Sequence, residues 1–428
     1  MFATRLAPVL TRAGIHYGWV MVALTFLTTV TTSAAMGIPG VLINPLKAEF
    51  GWETGDISGP LGMRFVLFGL VAPFAAAFIQ RYGVRAVVTA SVCLVVIGVG
   101  LSTQMTALWQ LWATWGFLLG LAAGMTAMVL AATIASRWFT ARRGLVVGML
   151  TAANATGQLI FLPLAASLAE HYGWRAALLP GVIGCAVCLT LVLLFGCDHP
   201  GDLNLPPYGE KAVIPVPPRG AASNVISLSL NTLRDCLESR LFYVLAFTFF
   251  ICGLSTGGLI QTHFIPFCGD YGMATVTAAS VLALMGAFDF IGTILSGWLS
   301  DRYDNRWLLF WYYGLRGLSL LVLPYSTFSL FGLSVFAAFY GLDWIATVPP
   351  TVRLAAVGFG RERAPMVFGW VFASHQLGSA VAATAAGISR DAWASYVPAF
   401  LVAGVMCLVA SGLIITVRRA PRPVLAAE

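Results

Sequence analysis

Long apolar stretches separated by short polar breaks run along almost the whole chain. Glycines, prolines and clustered charges divide it into twelve apolar segments, near residues 18–43, 54–79, 86–105, 108–136, 144–168, 174–197, 241–268, 275–300, 306–325, 328–358, 364–389 and 394–417. Each segment is long enough to cross the hydrocarbon core of a bilayer as an α-helix, which satisfies its own backbone hydrogen bonds. The pattern therefore predicts an all-α membrane protein with twelve transmembrane helices.

The longest polar interval, residues 198–240, is rich in proline and is typical of a connection between two folded units. We therefore predict an N-terminal six-helix bundle over residues 1–197, a cytoplasmic linker over 198–240 and a C-terminal six-helix bundle over 241–428. The first apolar run continues past Ala35 without a small-residue cleavage site, so we interpret it as an uncleaved first helix.

The two halves of the chain repeat one another at a constant offset of 221 residues. The shift pairs Arg81 with Arg302, Tyr82 with Tyr303, Arg85 with Arg306, Arg142 with Arg363, Gly37 with Gly258, and Gly157 with Gly378. One offset across most of each half indicates a duplication, and hence two pseudo-symmetric bundles with a site near the membrane midplane where they meet. Such a pair of bundles can rock about the site, which favours transport by alternating access.

Composition and charge agree with this interpretation. Hydrophobic residues make up 59% of the chain and charged residues only 10%, whereas soluble domains carry about 25% charged residues. The net charge of +7 is typical of cytoplasmic loops in a membrane protein, not of nucleic-acid binding. The eight cysteines are scattered and lie mostly in apolar runs, which favours structural roles over a redox or zinc site.

The basic residues also predict the orientation in the membrane. One side of the predicted topology carries Arg5, Arg12, Arg81, Arg85, Arg137, Arg142, Arg143, Arg302, Arg306, Arg361, Arg363, Arg418, Arg419 and Arg422. The other side carries Lys47, Arg175 and Arg390. The positive-inside rule then places both termini in the cytoplasm, and we expect a multi-pass protein of the plasma (inner) membrane.

A motif after the eighth segment resembles a known family. Gly297, Asp301, Arg302 and Arg306 form G-x-x-x-D-R-x-x-x-R, which is similar to the loop motif of the major facilitator superfamily, and Arg81 and Arg85 belong to a degenerate first copy. The stretch SRWFTARRGLVVGMLTAANATGQLIF resembles bacterial members near the monocarboxylate and oxalate/formate porters. That branch commonly places an arginine one turn beyond the acid of helix eight, against the substrate carboxylate. This chain has Thr293 there, so the resemblance does not assign a monocarboxylate.

Ionisable residues in the middle of an apolar span are the candidates for substrate binding or proton coupling, since each costs about 2.5–3.5 kcal/mol to insert. The candidates are Arg64 in helix two, His263 in helix seven, Asp289 in helix eight, Asp343 in helix ten and His375 in helix eleven. Helix five adds Asn154 and Gln158, which lie one helical turn apart and suit a cavity wall.

Each candidate has two interpretations. Asp289 is a proton carrier, because burial favours the protonated form of a carboxyl group, or it pairs locally with Arg316. Arg64 binds an anionic substrate group as a planar fork, or it forms a structural ion pair with Asp343 or Asp289. The Asp343 carboxylate either serves the site or bonds loosened backbone before Pro349.

The remaining polar candidates also have more than one interpretation each. His375 binds substrate or relays protons, or it is a hydrogen-bonded core histidine. His263 is a gate or structural residue, and interhelical hydrogen bonding would also explain Asn154 and Gln158. The motif residues Arg81, Arg85, Gly297, Asp301, Arg302 and Arg306 are interpreted as a gate that latches the outward-facing state, with anchoring by positive charge as the alternative.

The sequence thus predicts a secondary active transporter of a small organic solute, with an organic anion and proton coupling as the favoured form. The alternatives are an exporter of cationic or drug-like solutes, a carrier of a metal or metal chelate, and a sensor built on a transport fold. No nucleotide loop, nucleophile elbow or metalloprotease motif is present, so we expect neither an enzyme nor a cofactor. We expect a small-molecule substrate, protons and the lipid bilayer as partners. Two bundles around one cavity need no further chain, so we also expect a monomer.

Overall fold

A computed structural model describes residues 2–126, 129–213, 222–360 and 363–417. Arg361, Arg418, Arg419 and Arg422, which entered the topology prediction, lie outside this part of the chain. Within it the chain is built from helices, and β-structure is limited to an isolated bridge between Phe139 and Tyr208.

Twelve long helices follow one another along the described chain. They are α1 (Gly18–Phe50), α2 (Thr54–Phe74), α3 (Val84–Ser102), α4 (Leu108–Trp138, with residues 127 and 128 not described), α5 (Arg143–Tyr172), α6 (Trp174–Phe195), α7 (Arg240–Asp270), α8 (Thr275–Arg302), α9 (Asn305–Val322), α10 (Leu330–Phe359), α11 (Ala364–Trp393) and α12 (Val397–Ile415). Shorter helices are Phe2–Arg12, Ala75–Tyr82, which continues α2, and Ala222–Cys236, here called the linker helix. Short 3-10 turns lie at Pro200–Leu203 and Leu323–Tyr325.

Nine of these helices in the described residues are long and apolar enough to cross a membrane by length and composition. Helices α5, α9 and α11 complete the set of twelve. The predicted all-α membrane fold of two pseudo-symmetric six-helix bundles is confirmed. The domain boundaries placed at residues 197 and 241 stay a prediction.

The duplication predicted from the sequence is visible in the helix bounds. Shifted by 221 residues, α5 coincides with α11, and both helices have 30 residues. The same shift carries the first residue of α2, Thr54, onto the first residue of α8, Thr275. Helix α1 breaks at Ile38, and the equivalent part of α7 contains a π-helical segment, Leu254–Ile260. Both first helices of the repeat are therefore irregular at the same depth.

The two repeats differ at one tight turn, which leads to a prediction. Gly173 links α5 to α6 with φ of 84°, and its equivalent Ala394 links α11 to α12 with φ of 52°. Left-handed backbone costs alanine about 1 kcal/mol more than glycine. Ala394→Gly should therefore raise the melting temperature in detergent, and Gly173→Ala should lower it. A lower melting temperature for Ala394→Gly would contradict this account.

The halves meet along α2 with α11 and α5 with α8. Small residues permit the α2–α11 approach: a Cβ on Gly69 would lie 3.0 Å from the Ala373 carbonyl oxygen. On the side predicted to face outward, a Cβ on Gly40 of α1 would lie 2.8 Å from the Gln261 carbonyl oxygen of α7. Close backbone packing of this kind is typical of helices that associate within a bilayer.

An acid of one half also bonds the other half at this outer end. Asp391, near the end of α11, accepts a hydrogen bond from the Thr54 backbone N–H at 3.0 Å and another from the Gly55 N–H. Lys47 Nζ lies 4.0 Å from Asp391 Oδ1 and donates to Thr54 Oγ1 at 2.6 Å. The two halves are thus joined at the predicted outer end.

Candidate functional site

Helix α10 is interrupted in its middle, where buried charged side chains from three helices meet. Its first part ends at Asp343, its second begins at Val348, and residues 344–347 form a turn. The unwound turn leaves the carbonyl oxygens of Asp343 and Trp344 without helical donors, and Pro349 and Pro350, which have no N–H groups, cannot donate to the carbonyl oxygens of Ile345 and Ala346. The freed backbone groups must be satisfied by side chains of neighbouring helices.

Arg316 of α9 satisfies two of the freed carbonyls. Its Nη2 donates to the carbonyl oxygens of Asp343 at 2.5 Å and of Trp344 at 3.0 Å. Its Nε donates to Asp343 Oδ2 at 2.6 Å, and its Nη1 donates to Cys252 Sγ at 3.0 Å. The residue is 1% exposed, so this is a buried ion pair. An arginine keeps its proton in a protein, and the Asp343 carboxylate therefore compensates a permanent charge.

Asp289 of α8 holds the same turn from another side. Its Oδ1 accepts the backbone N–H of Ile345 at 2.9 Å and the Thr293 hydroxyl at 3.1 Å. Two expectations need correction here. Arg316 pairs with Asp343 and not with Asp289, and the acid that bonds the loosened backbone is Asp289 and not Asp343. The reason is the unwound turn, which turns Ile345 N–H toward α8 and places the Asp343 side chain against α9.

Arg64 of α2 is a buried cation in the N-terminal half. It is 3% exposed, and its Nη1 donates to the Met36 carbonyl oxygen, beside the break in α1, at 3.0 Å. Its guanidinium carbon lies 4.8 Å from the centre of the neighbouring Phe65 ring. Among the described residues no salt bridge joins it to Asp289 or Asp343, so the predicted structural ion pair is not found. Arg64 therefore has backbone and aromatic contacts where a carboxylate would otherwise be expected.

Of the two polar candidates in α5, the structure describes the side chain of only one, Asn154. Asn154 Oδ1 accepts a hydrogen bond from Ser33 Oγ of α1 at 2.5 Å. This contact lies within the N-terminal half, a few residues from Met36. The side chain of Gln158 lies outside the described part of the chain.

The two histidines lie between α7 and α11. His263 is fully buried and its Nε2 lies 2.7 Å from the Ala383 carbonyl oxygen, so it donates a hydrogen bond to α11. His375 Nε2 lies 3.5 Å from Thr256 Oγ1, and its ring stacks on Phe372. In the described structure the Nδ1 atom of each ring has no hydrogen-bond partner. Both rings thus bridge helices within the C-terminal half.

The described contacts of the charged motif residues lie within one half or, for Arg85, also reach the first residue of the predicted linker. Asp301 pairs with Arg353 in the second part of α10, Arg302 lies over Trp298, and Arg306 binds Asp304 and the Val417 carbonyl. In the first half the Arg85 N–H donates to Asp198 Oδ1, and Arg81 lies over Tyr82. Gly297 has open space where a Cβ would be. These described contacts lie at the ends of the two bundles that are predicted to be cytoplasmic.

Comparison with known proteins assigns the family. The model of the family described as Major Facilitator Superfamily matches residues 25–383 and 290–428. The chain belongs to the major facilitator superfamily. It is a transporter of this superfamily rather than an enzyme, as the sequence predicted.

Curated relatives of this superfamily member extend over nearly its full length. The uncharacterized MFS-type transporter YcxA of Bacillus subtilis (strain 168) is 25% identical over 412 residues, which cover 94% of this chain and 95% of the relative. Monocarboxylate transporter 13 of Rattus norvegicus is 28% identical over 406 residues, covering 94% and 89%. A crystal structure of a D-xylose-proton symporter superposes with a TM-score of 0.72 at 14% identity, covering 94% of this chain and 98% of that one. At that identity the structural likeness shows the fold alone.

Arg316 is more central to this superfamily member than the sequence predicts. The sequence indicates it only as a local partner of Asp289, whereas in the structure it is fully buried and bonds two carbonyls and a carboxylate. Its position in the middle of the apolar run from Leu308 to Val322 was a signal that could have placed it among the candidates.

Proposed function

We propose that this protein is a proton-coupled secondary transporter of a small organic anion, working by alternating access in the plasma membrane with both termini in the cytoplasm. The observation that carries the proposal is Arg64. It is a guanidinium 3% exposed, and its hydrogen bond in the described structure goes to a backbone carbonyl, not to an acid.

A buried cation without a carboxylate partner is a ready site for an anion. Leaving an ion unpaired inside a protein costs several kcal/mol, and a substrate carboxylate would offset that cost on binding. The planar fork of an arginine matches the two oxygens of a carboxylate. The names of relatives such as monocarboxylate transporter 13 refer to carboxylate substrates, which agrees with this chemistry. Because Thr293 stands where that branch has an arginine, the proposal covers organic anions in general and not monocarboxylates alone.

Asp289 is the acid that we assign to proton coupling. Arg316 neutralises Asp343 directly, whereas the hydrogen bonds of Asp289 come from a hydroxyl and an amide N–H. Asp289 is 8% exposed, so its carboxyl group is not completely shielded and a proton can reach it. A proton taken up at Asp289 would then move with the substrate anion, and their charges would cancel.

The conformation and the motif contacts fit a transport cycle. The outer ends are joined through Asp391, which is the arrangement of a carrier closed to the outside. Asp301 and Arg302 then contact only their own half in the described structure, as expected for a cytoplasmic latch that has been released. We propose that they pair across the halves in the outward-facing state.

The first test is ligand binding by thermal shift, because a ligand that binds the folded protein raises its melting temperature. A panel of monocarboxylates, dicarboxylates, amino acids, organic cations and metal chelates is measured at pH 5.5 and 7.5. We expect an organic anion to stabilise the protein, more strongly at the lower pH. Stabilisation by cations or metals alone would overturn the anion and favour the exporter or metal-carrier alternative.

Variants of Arg64 test whether this side chain binds the anion. Arg64→Gln should weaken binding of the stabilising anion about 100-fold, as expected for two charge-assisted hydrogen bonds, and Arg64→Lys should restore part of it. Arg175→Gln removes one arginine that pairs with Glu49 at the outer surface, and should leave binding unchanged. If Arg64→Gln binds the anion as tightly as the wild type, the proposed role of Arg64 is wrong.

A further inference from the structure

The turn in α10 brings three buried charges together. Arg316 contributes one positive charge, and Asp289 and Asp343 contribute two negative charges when both are ionised. The group then carries a net charge of −1 among residues that are at most 8% exposed. An uncompensated charge is costly there, and one bound proton makes the group neutral. The geometry decides which acid receives it.

The two acids have different partners. Asp343 Oδ2 lies 2.6 Å from Arg316 Nε, and the same guanidinium also holds the Asp343 carbonyl oxygen. Asp289 accepts from Thr293 and from the Ile345 N–H, which are neutral groups. A proton on Asp343 would remove the charge that compensates Arg316, whereas a proton on Asp289 leaves the ion pair intact. Protonation of Asp289 is therefore the less costly way to reach neutrality.

We propose that Arg316 determines which acid carries the proton: it keeps Asp343 ionised and leaves Asp289 to bind and release the proton. This rests on the proposed coupling role of Asp289 and assigns Arg316 as a positioning residue. It also links the proton to a movement. Asp289 holds the α10 turn through Ile345, and a neutral acid accepts that hydrogen bond more weakly than a carboxylate. Protonation thus loosens α8 from α10 while Arg316 keeps α9 on the turn.

Among the described residues, no other charged group contacts the cluster and competes for the proton. The other ionisable side chains that influence the cluster electrostatically are Cys252 of α7, Tyr312 and Tyr313 of α9, Tyr340 of α10, His375 of α11 and Cys407 of α12. Thiols and phenols are neutral near physiological pH. The His375 ring contacts Thr256 and Phe372 and bonds neither acid. Helix α5, which packs along α8, has ionisable residues only near its ends, at Arg143, Glu170, His171 and Tyr172, and the outer part of α7 adds His263 and Asp270.

Infrared difference spectroscopy of the purified protein between low and high pH tests this assignment without substrate or flux. A buried carboxylic acid gives its own carbonyl band. The wild type should show one such band, and Asp289→Asn should remove it. Arg316→Gln should add a second band, because Asp343 then lacks its counter-ion and takes up a proton. The double variant Arg316→Gln/Asp343→Asn should lose that second band and keep the band of Asp289.

The double variant also covers the case in which Arg316→Gln does not fold. It replaces both charges by neutral amides, so no buried charge is left unpaired, and it should fold with a titrating Asp289. A wild-type band that survives Asp289→Asn, or a folded Arg316→Gln protein without a second band, would overturn the assignment. The proposed transport function is tested by a different measurement: it is wrong if folded wild-type protein shows no pH-driven uptake of any anion. The two failures are therefore distinguishable.

Discussion

Asp289→Asn should abolish accumulation driven by a proton gradient while it leaves exchange of substrate intact. Asparagine cannot carry a proton, but its side-chain oxygen can still accept the Ile345 N–H and the Thr293 hydroxyl that Asp289 binds at 2.9 and 3.1 Å. Asparagine thus holds the α10 turn as the protonated Asp289 does, and only the ability to release the proton is lost. In proteoliposomes we expect pH-driven uptake to fall to the level of empty liposomes, and counterflow to stay near that of the wild type.

Thr293→Val is the matched control for this experiment. It removes one hydrogen bond to Asp289 but keeps the carboxyl group, so pH-driven accumulation should persist. If pH-driven uptake in Asp289→Asn equals that of the wild type, Asp289 is not the proton carrier, and His263 and His375 become the next candidates. Loss of both driven uptake and counterflow would instead show that Asp289 serves the binding of substrate or the packing of α8 on α10.

Much of the fold could be predicted because a bilayer imposes simple rules on sequence. The twelve helices were predictable from three features of the sequence: apolar runs long enough to span a bilayer, the charges between these runs, and the 221-residue repeat. The helix ends were less predictable. The first helix was expected to end near residue 43 but continues to Phe50, and α11 continues to Trp393. Hydropathy marks where a helix leaves the hydrocarbon, whereas the helix itself ends at a later backbone signal, such as Gly51 with φ of 70°.

The candidate site was predictable as a set of residues but not as a set of pairs. A charge in an apolar run is visible in the sequence, which is how Arg64, Asp289 and Asp343 were found. Their partners depend on how many residues of α10 unwind before Pro349, and one residue more or less would turn the side chains by about 100°. The sequence indicates that a break exists but not its length. The pairing of Arg316 with Asp343 therefore required the structure.

Asp391 is the clearest example of a residue without a sequence signal. It follows Arg390 near the end of α11 and has the appearance of an ordinary surface acid. In the structure its carboxylate caps the first turn of α2 in the other half, accepting from Thr54 and Gly55. The favourable charge at a helix N-terminus adds to these two bonds. Only the packing of the halves creates this contact.

Asp391→Ala should therefore open the end of the protein that we propose faces outward, called the outer end below. The loss of two hydrogen bonds to a carboxylate 18% exposed should cost the outer-closed conformation about 2 kcal/mol, or about a 30-fold change in its population relative to the outward-open state. The distance between spin labels at Thr106→Cys and Tyr325→Cys, in loops of the two halves at the outer end, measures the shift. We expect a longer distance to become dominant in Asp391→Ala.

Asp270→Asn gives this experiment a control at the same end of the molecule. Asp270 pairs with Arg390 at 2.8 and 3.0 Å, so the variant removes one acid from the outer surface, but both partners belong to the C-terminal half. Its label distances should match those of the wild type, because no bond between the halves is lost. If Asp270→Asn lengthens the distance as much as Asp391→Ala, surface charge in general sets the equilibrium. If neither variant changes it, the close packing of α1 on α7 holds the outer end without help from Asp391.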